Sequence, residues 1–178
     1  MKRLAISVTG AILMACPAAA QAVFELVPRT EGATACWQRV YDEAHLLAHP
    51  DQTVTAMTLG AGFYRLEDAP PEDSGNTLFG MAVTLRDGTK GTTSGVCWSD
   101  GSELRCGVEC DGGGVVVSGA RNGSALIDLG TTGYIRMEGE CGGYGEMESF
   151  ALEPGLDDKT FLLGKVDAKV CKGLMSSW

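Results

Sequence analysis

Histidine is nearly absent from this chain, with only His45 and His49 in 178 residues, and that scarcity already narrows the chemistry open to it. A zinc hydrolase built on two helical histidines needs a glutamate directly after the first to activate metal-bound water, and that position is Leu46 here. No Cys-x-x-Cys pair occurs, so a thiolate zinc framework lacks its usual spacing. Also missing are a Gly-x-Ser-x-Gly elbow, a glycine loop with the lysine that cradles phosphate, and an Asp-x-Asp-x-Asp-Gly calcium loop. Basic residues are few, 14 against 23 acidic, for a formal net charge of −9, which argues against nucleic acid or an anionic membrane as partner. The apolar run from Leu4 to Ala15 is too short to span a bilayer. There is no internal repeat and no low-complexity tract.

What is present begins with the leader. Met1-Lys2-Arg3 is a basic start, Leu4 to Ala15 an apolar stretch, and Ala18-Ala19-Ala20-Gln21-Ala22 a small-residue cleavage signal, the layout of a secretory signal peptide over residues 1–22. Leu13-Met14-Ala15-Cys16 also fits the pattern at which a lipoprotein is cut and lipid-anchored. That cut would put Pro17 directly after the modified Cys16, whereas the cut after Ala22 follows a well-formed Ala-Gln-Ala. The expected mature chain, 23–178, is a single domain in the periplasm or secreted. Losing Lys2 and Arg3 leaves it 12 basic and 23 acidic residues, a net charge near −11.

Glycine, at 25 residues, is about twice its ordinary share of roughly 7% and favours tight turns between strands. The helix candidate is Trp37 to His49, whose apolar Trp37, Val40, Tyr41, Ala44, Leu47 and Ala48 recur at three and four, with Pro50 ending it. The alternative is an extended Cys36 to Tyr41 followed by a short helical turn over Ala44 to His49. From Gln52 the period becomes two: Phe79, Met81, Val83 and Leu85 alternate with Gly80, Ala82 and Thr84. Turn signals at Arg86–Thr89, Ser99–Ser102, Arg121–Gly123 and Thr131–Gly133 separate further strands, the last spanning Phe161 to Val166. This predicts an all-β antiparallel meander of about eight strands, a small barrel or a sandwich, with one short N-terminal helix. Pro70–Asn76 and Gly139–Pro154 are the long loops.

Six cysteines survive cleavage: Cys36, Cys97, Cys106, Cys110, Cys141 and Cys171, which suits three disulfides in an oxidising compartment. We expect Cys36 with Cys171, a local bridge within Cys97, Cys106 and Cys110, and Cys141 with one of those three. A two-residue turn at Asp100-Gly101 would set Cys97 opposite Leu104, so a bridge to Cys106 would need a diagonal or bulged geometry. His45 and His49 with Asp42 are the candidate metal ligands, and Asp51 could join them. The competing expectation is that both imidazoles bond groups near the helix end. In the second half Glu109, Asp111, Glu138, Glu140, Glu146 and Glu148 read as solvated surface acids rather than a catalytic pair.

Two stretches, Arg39 to Gln52 with His45-Leu46-Leu47-Ala48-His49-Pro50-Asp51-Gln52, and Arg105 to Gly113 with Cys110-Asp111-Gly112-Gly113, resemble segments of a group of exported bacterial proteins. The resemblance implies an exported, cysteine-bearing domain, and no function or catalytic residue comes with it. The function expected from the residues is binding of a basic protein or a small ligand, without a cofactor and without catalysis. One version is an inhibitor-like or interaction module using the Gly139–Pro154 loop, with Glu140, Tyr144, Glu146 and Glu148. Another is a carrier whose barrel interior, lined by Phe79, Met81, Val83, Val115, Val117 and Ile127, holds an apolar molecule, against the plainer expectation that these residues form a packed core. The enzymatic alternative is a metal-assisted hydrolase around His45, His49 and a nearby acid.

Overall fold

Alternation of apolar and polar residues, the signature of a strand with one buried face, builds nearly all of this molecule. The computed structural model describes residues 26–65, 75–100, 103–137 and 149–174. The leader with Cys16, and the 138–148 segment with Cys141, Glu140, Tyr144, Glu146 and Glu148, lie outside the described residues. In chain order the elements are β1 (Thr34–Val40), α1 (Glu43–Ala48), β2 (Val54–Tyr64), β3 (Asn76–Leu85), β4 (Lys90–Asp100), β5 (Glu103–Gly107), β6 (Gly114–Gly119), β7 (Ala125–Asp128), β8 (Ile135–Met137), β9 (Phe150–Leu152) and β10 (Thr160–Val166). A 3-10 turn, Arg121–Gly123, precedes β7, and another, Ala168–Cys171, follows β10.

Strands β1 to β7 run as an antiparallel meander, and β10 returns between β7 and β1 to close an eight-stranded barrel. The barrel version of the expected fold is therefore the one adopted, and closure removes the exposed edges that a sandwich would keep. Strand β10 closes the ring thinly, through three pairs with β1 and four with β7. The remaining strands, β8 and β9, form a separate two-stranded sheet. Of the two helical readings, the shorter holds: β1 runs extended through Trp37, and Asp42 starts α1 by accepting the His45 backbone N–H at 2.8 Å.

Inward positions carry Trp37, Leu59, Phe79, Met81, Val83, Val115, Val117, Ile127, Phe161 and Leu163, all at most 3% exposed. They fill the barrel. A cavity of about 10 Å³ beside Trp37, Leu59, Phe79 and Val117 has room for roughly one water, and the residues named for a hollow carrier all belong to one packed core cluster. At the Tyr64, Asn76 and Asp100 end, the lead-in inserts Leu26 and Val27 beside that space. The opposite end is stopped by Ile135, Met137 and Leu152 of β8 and β9, with Met137 and Phe150 seated against the bare Cα of Gly91. There too Asp158, 1% exposed, accepts from the Thr53 N–H and hydroxyl, each at 2.6 Å, tying the β9–β10 connection to the start of β2.

Two disulfides are formed. Cys36–Cys171 joins β1 to the segment after β10 across 135 residues. The strap that follows crosses the outer face of β1 to β3, where a Cβ on Gly80 would stand 2.2 Å from the Leu174 carbonyl oxygen; only glycine leaves that path open. Cys97–Cys106 corrects our turn geometry. Asp100 still pairs with Glu103, so the connection is Gly101-Ser102, and Cys97 lies directly opposite Cys106 with Cα atoms 4.0 Å apart. No diagonal or bulge is needed. Two such bonds mark a chain that folds in an oxidising, non-cytoplasmic compartment. Among the described residues no helix is long and apolar enough to cross a membrane.

Candidate functional site

The histidines sit where the β1–β2 connection crosses the barrel end. Tyr41, His45 and His49 stack as a column, ring centroids 4.6 and 4.4 Å apart, with the Arg39 guanidinium 5.1 Å from the Tyr41 ring. Burial, opposed by Arg39, pushes the Tyr41 phenol above its ordinary pKa. The Gln52 amide nitrogen donates to the Val54 carbonyl, so its oxygen receives the His45 Nε2–H at 3.0 Å. His49 Nδ1 lies 3.8 Å from the Asp157 carboxylate. Arg86 donates to the carbonyls of Leu46, His49 and Gln52, which anchors the helix end. Asp42 is engaged as the helix cap. Among the described residues no three His, Cys, Asp or Glu side chains converge as a metal site. The geometry is that of a fastened connection, with one imidazole on a side chain near the helix end rather than on the backbone.

A different surface stands out on the outer wall of β3 to β6. Outward positions of these strands carry Leu78, Val96, Trp98 and Gly107, an apolar stretch interrupted by Arg105, on a face that water should favour as polar; the outward Val116 is itself only 3% exposed. Register places Leu78 beside Val96 and Val96 beside Gly107, with Trp98 beside Arg105 and Arg105 beside Val116. The Trp98 ring leans over Gly107, where a Cβ would lie 2.9 Å from the indole, so glycine forms its seat. Seated there, Trp98 remains 54% exposed. The β5–β6 hairpin flanks this wall with exposed Glu103, Glu109 and Asp111.

The tip of that hairpin holds Cys110 and Asp111, both at φ 58°, the left-handed pair of a type I′ turn, closed by the Gly112 N–H on the Glu109 carbonyl at 3.2 Å. Cys110 is exposed and unbridged among the described residues. Strand β8 lies alongside, with the Arg136 N–H on the Gly112 carbonyl at 2.8 Å and the Tyr134 hydroxyl donating to the Asp111 carbonyl at 2.7 Å. The expected binding loop leaves from this place, since Met137 and Phe150 pair at its base. It is also shorter than expected, because Phe150–Leu152 is strand. In comparisons with protein-family models, curated proteins and solved structures, the chain matches none.

Proposed function

We propose that this chain is an exported binding domain, cleaved after Ala22, that docks a basic protein partner on the outer wall of β3 to β6. The observation that carries the reading is Trp98: large, more than half exposed, and held over Gly107 on the face that also carries Leu78 and Val96. A tryptophan ordered before binding loses little conformational freedom on docking, and such residues anchor interfaces far more often than their abundance suggests. Glu103, Glu109 and Asp111 beside the wall, and a mature charge near −11, favour a partner whose rim is lysine- and arginine-rich. The test is capture from envelope extract at low and high salt, followed by affinity measurement on the purified partner. Trp98→Ala should weaken binding by at least 2 kcal/mol, about 30-fold, and leave thermal stability nearly unchanged. Equal affinity for wild type and variant would reject this surface.

The remaining thiols belong to the same reading. With Cys36–Cys171 and Cys97–Cys106 formed, Cys110 and Cys141 are the unassigned pair of the mature chain. Cys141 is four residues beyond Met137, a span of at most about 14 Å, and β8 already bonds Gly112, two residues from Cys110. A Cys110–Cys141 bridge would tether the acidic loop to the wall's hairpin. The mature protein, denatured without reductant, should therefore show no reactive thiol, and Cys110→Ser should release one. Two reactive thiols in the unaltered protein would refute the third bridge.

A further inference from the structure

At the end of the barrel where β2 gives way to β3, polar groups gather in a groove that adjoins the Trp98 wall. Its volume is about 240 Å³, and Arg29, Phe63, Asn76, Thr77, Trp98, Ser99 and Leu104 are among the residues that line it. We propose that this groove binds a small monocarboxylate with an apolar body, a molecule of amino-acid or aromatic-acid size.

Three features lead there. Among the described residues the lining contains no acidic side chain, and it holds a guanidinium whose carbon sits 5.6 Å from the Phe63 ring centroid. The Arg29 guanidinium lies within cation–π reach of that ring, and its fork is the group that matches a carboxylate with two parallel hydrogen bonds. A guanidinium carries five N–H donors, enough to serve a carboxylate beside partners it already has. The Asn76 amide and the Thr77 and Ser99 hydroxyls add neutral donors, while Phe63 and Leu104 supply an apolar side. The volume is below the roughly 300 Å³ at which drug-sized sites begin, so the ligand is small. A mature charge near −11 penalises each further negative charge on a ligand, so a single carboxylate is favoured over a polyphosphate.

Trp98 borders both this groove and the outer wall, with its ring leaning over Gly107, so the two readings are separated by Arg29 and Thr77, which lie off that wall. The experiment is calorimetric and NMR titration of the intact mature protein with acetate, butyrate, benzoate and leucine, with benzamide as the uncharged match for benzoate and phthalate as the dianion. Benzoate should bind at least about tenfold more tightly than benzamide or phthalate, since the charged hydrogen bonds are worth roughly 1.5–3 kcal/mol. Arg29→Gln should abolish the preference for benzoate over benzamide, and Thr77→Val should weaken benzoate with Arg29 in place, which keeps the test valid if the arginine variant misfolds. Binding of none of the monocarboxylates, equal binding of benzoate and benzamide, or a benzoate affinity unmoved in both variants would overturn the proposal. Because Arg29 and Thr77 lie off the outer wall, failure of these titrations leaves the partner reading to be judged by Trp98→Ala alone.

Discussion

Replacing Cys36 and Cys171 together by serine should lower unfolding free energy by about 4–5 kcal/mol, the largest loss expected from removing either described bridge. The two cysteines are 135 residues apart, so their bond closes almost the whole domain in the unfolded chain. In the chain-entropy account a loop of that length is worth about 5 kcal/mol, whereas the nine-residue separation of Cys97–Cys106 is worth about 2.5. The bond also anchors the strap from Cys171 to Leu174 on the outer face of β1 to β3, with Cys36 1% and Cys171 0% exposed. The double variant is the right comparison, because a single substitution leaves a buried thiol free to exchange. Urea unfolding followed by circular dichroism should show the long-loop variant losing about twice as much as Cys97→Ser with Cys106→Ser. In thermal melts the long-loop loss corresponds to roughly 10–20 °C. Equal losses would mean that the strap, once in its glycine trough, contributes no constraint beyond the sulfur bond of a hairpin.

The same long-range tie explains which parts of the fold could be read from residues alone. Phe79, Met81 and Val83 alternate with small and polar neighbours, and they lie inside the barrel as the period-two pattern requires. The pairing of Cys36 with Cys171 was also legible, because the first and last mature cysteines have few other uses. Barrel closure depends on β10 entering between β7 and β1, a contact between distant segments that leaves no local trace. The Cys97–Cys106 register slipped by one turn position, since Asp100-Gly101 and Gly101-Ser102 are both acceptable turn chemistry. Strand β9, three residues long, is too short to show any period.

The helical spacing of Trp37, Val40, Tyr41, Ala44, Leu47 and Ala48 was misleading for a physical reason. Ala35 and Trp37 already satisfy the barrel at period two, and Val40 and Leu47 are left 66% and 73% exposed. Of the residues on that face, Trp37 and Tyr41 pack on the core, while Val40, Ala44, Leu47 and Ala48 stay exposed. Trp98 carried a signal that could have been used, an aromatic on the outward parity of a strand whose inward residues include Cys97. Its importance became visible only when Gly107 was found beneath it. The mouth groove had no comparable trace, because Arg29 comes from the lead-in and Phe63, Thr77 and Ser99 from three neighbouring strands whose register no local pattern sets.

Trp37→Ala should cost about 3–5 kcal/mol, the range for deleting a buried large aromatic, and its distribution over the molecule should be uneven. Trp37 is 1% exposed on the inner face of β1, and its indole N–H donates to the Gly123 carbonyl at 2.8 Å. That bond reaches across β10, the strand held by only three pairs on one side and four on the other. The indole thus fastens β1 to the turn before β7 where the ladder is thinnest. Trp37→Phe keeps most of the buried area and removes the donor, leaving the Gly123 carbonyl to find water at the barrel end. We expect it to lose about 1–3 kcal/mol. If the indole is the clasp of the seam, amide protons of β10 and β1 should exchange faster in this variant by a larger factor than those of β2 and β3, whose ten-pair ladder does not depend on it. A uniform rise in exchange across all four strands would show that Trp37 acts only as core volume and that the barrel closes without it.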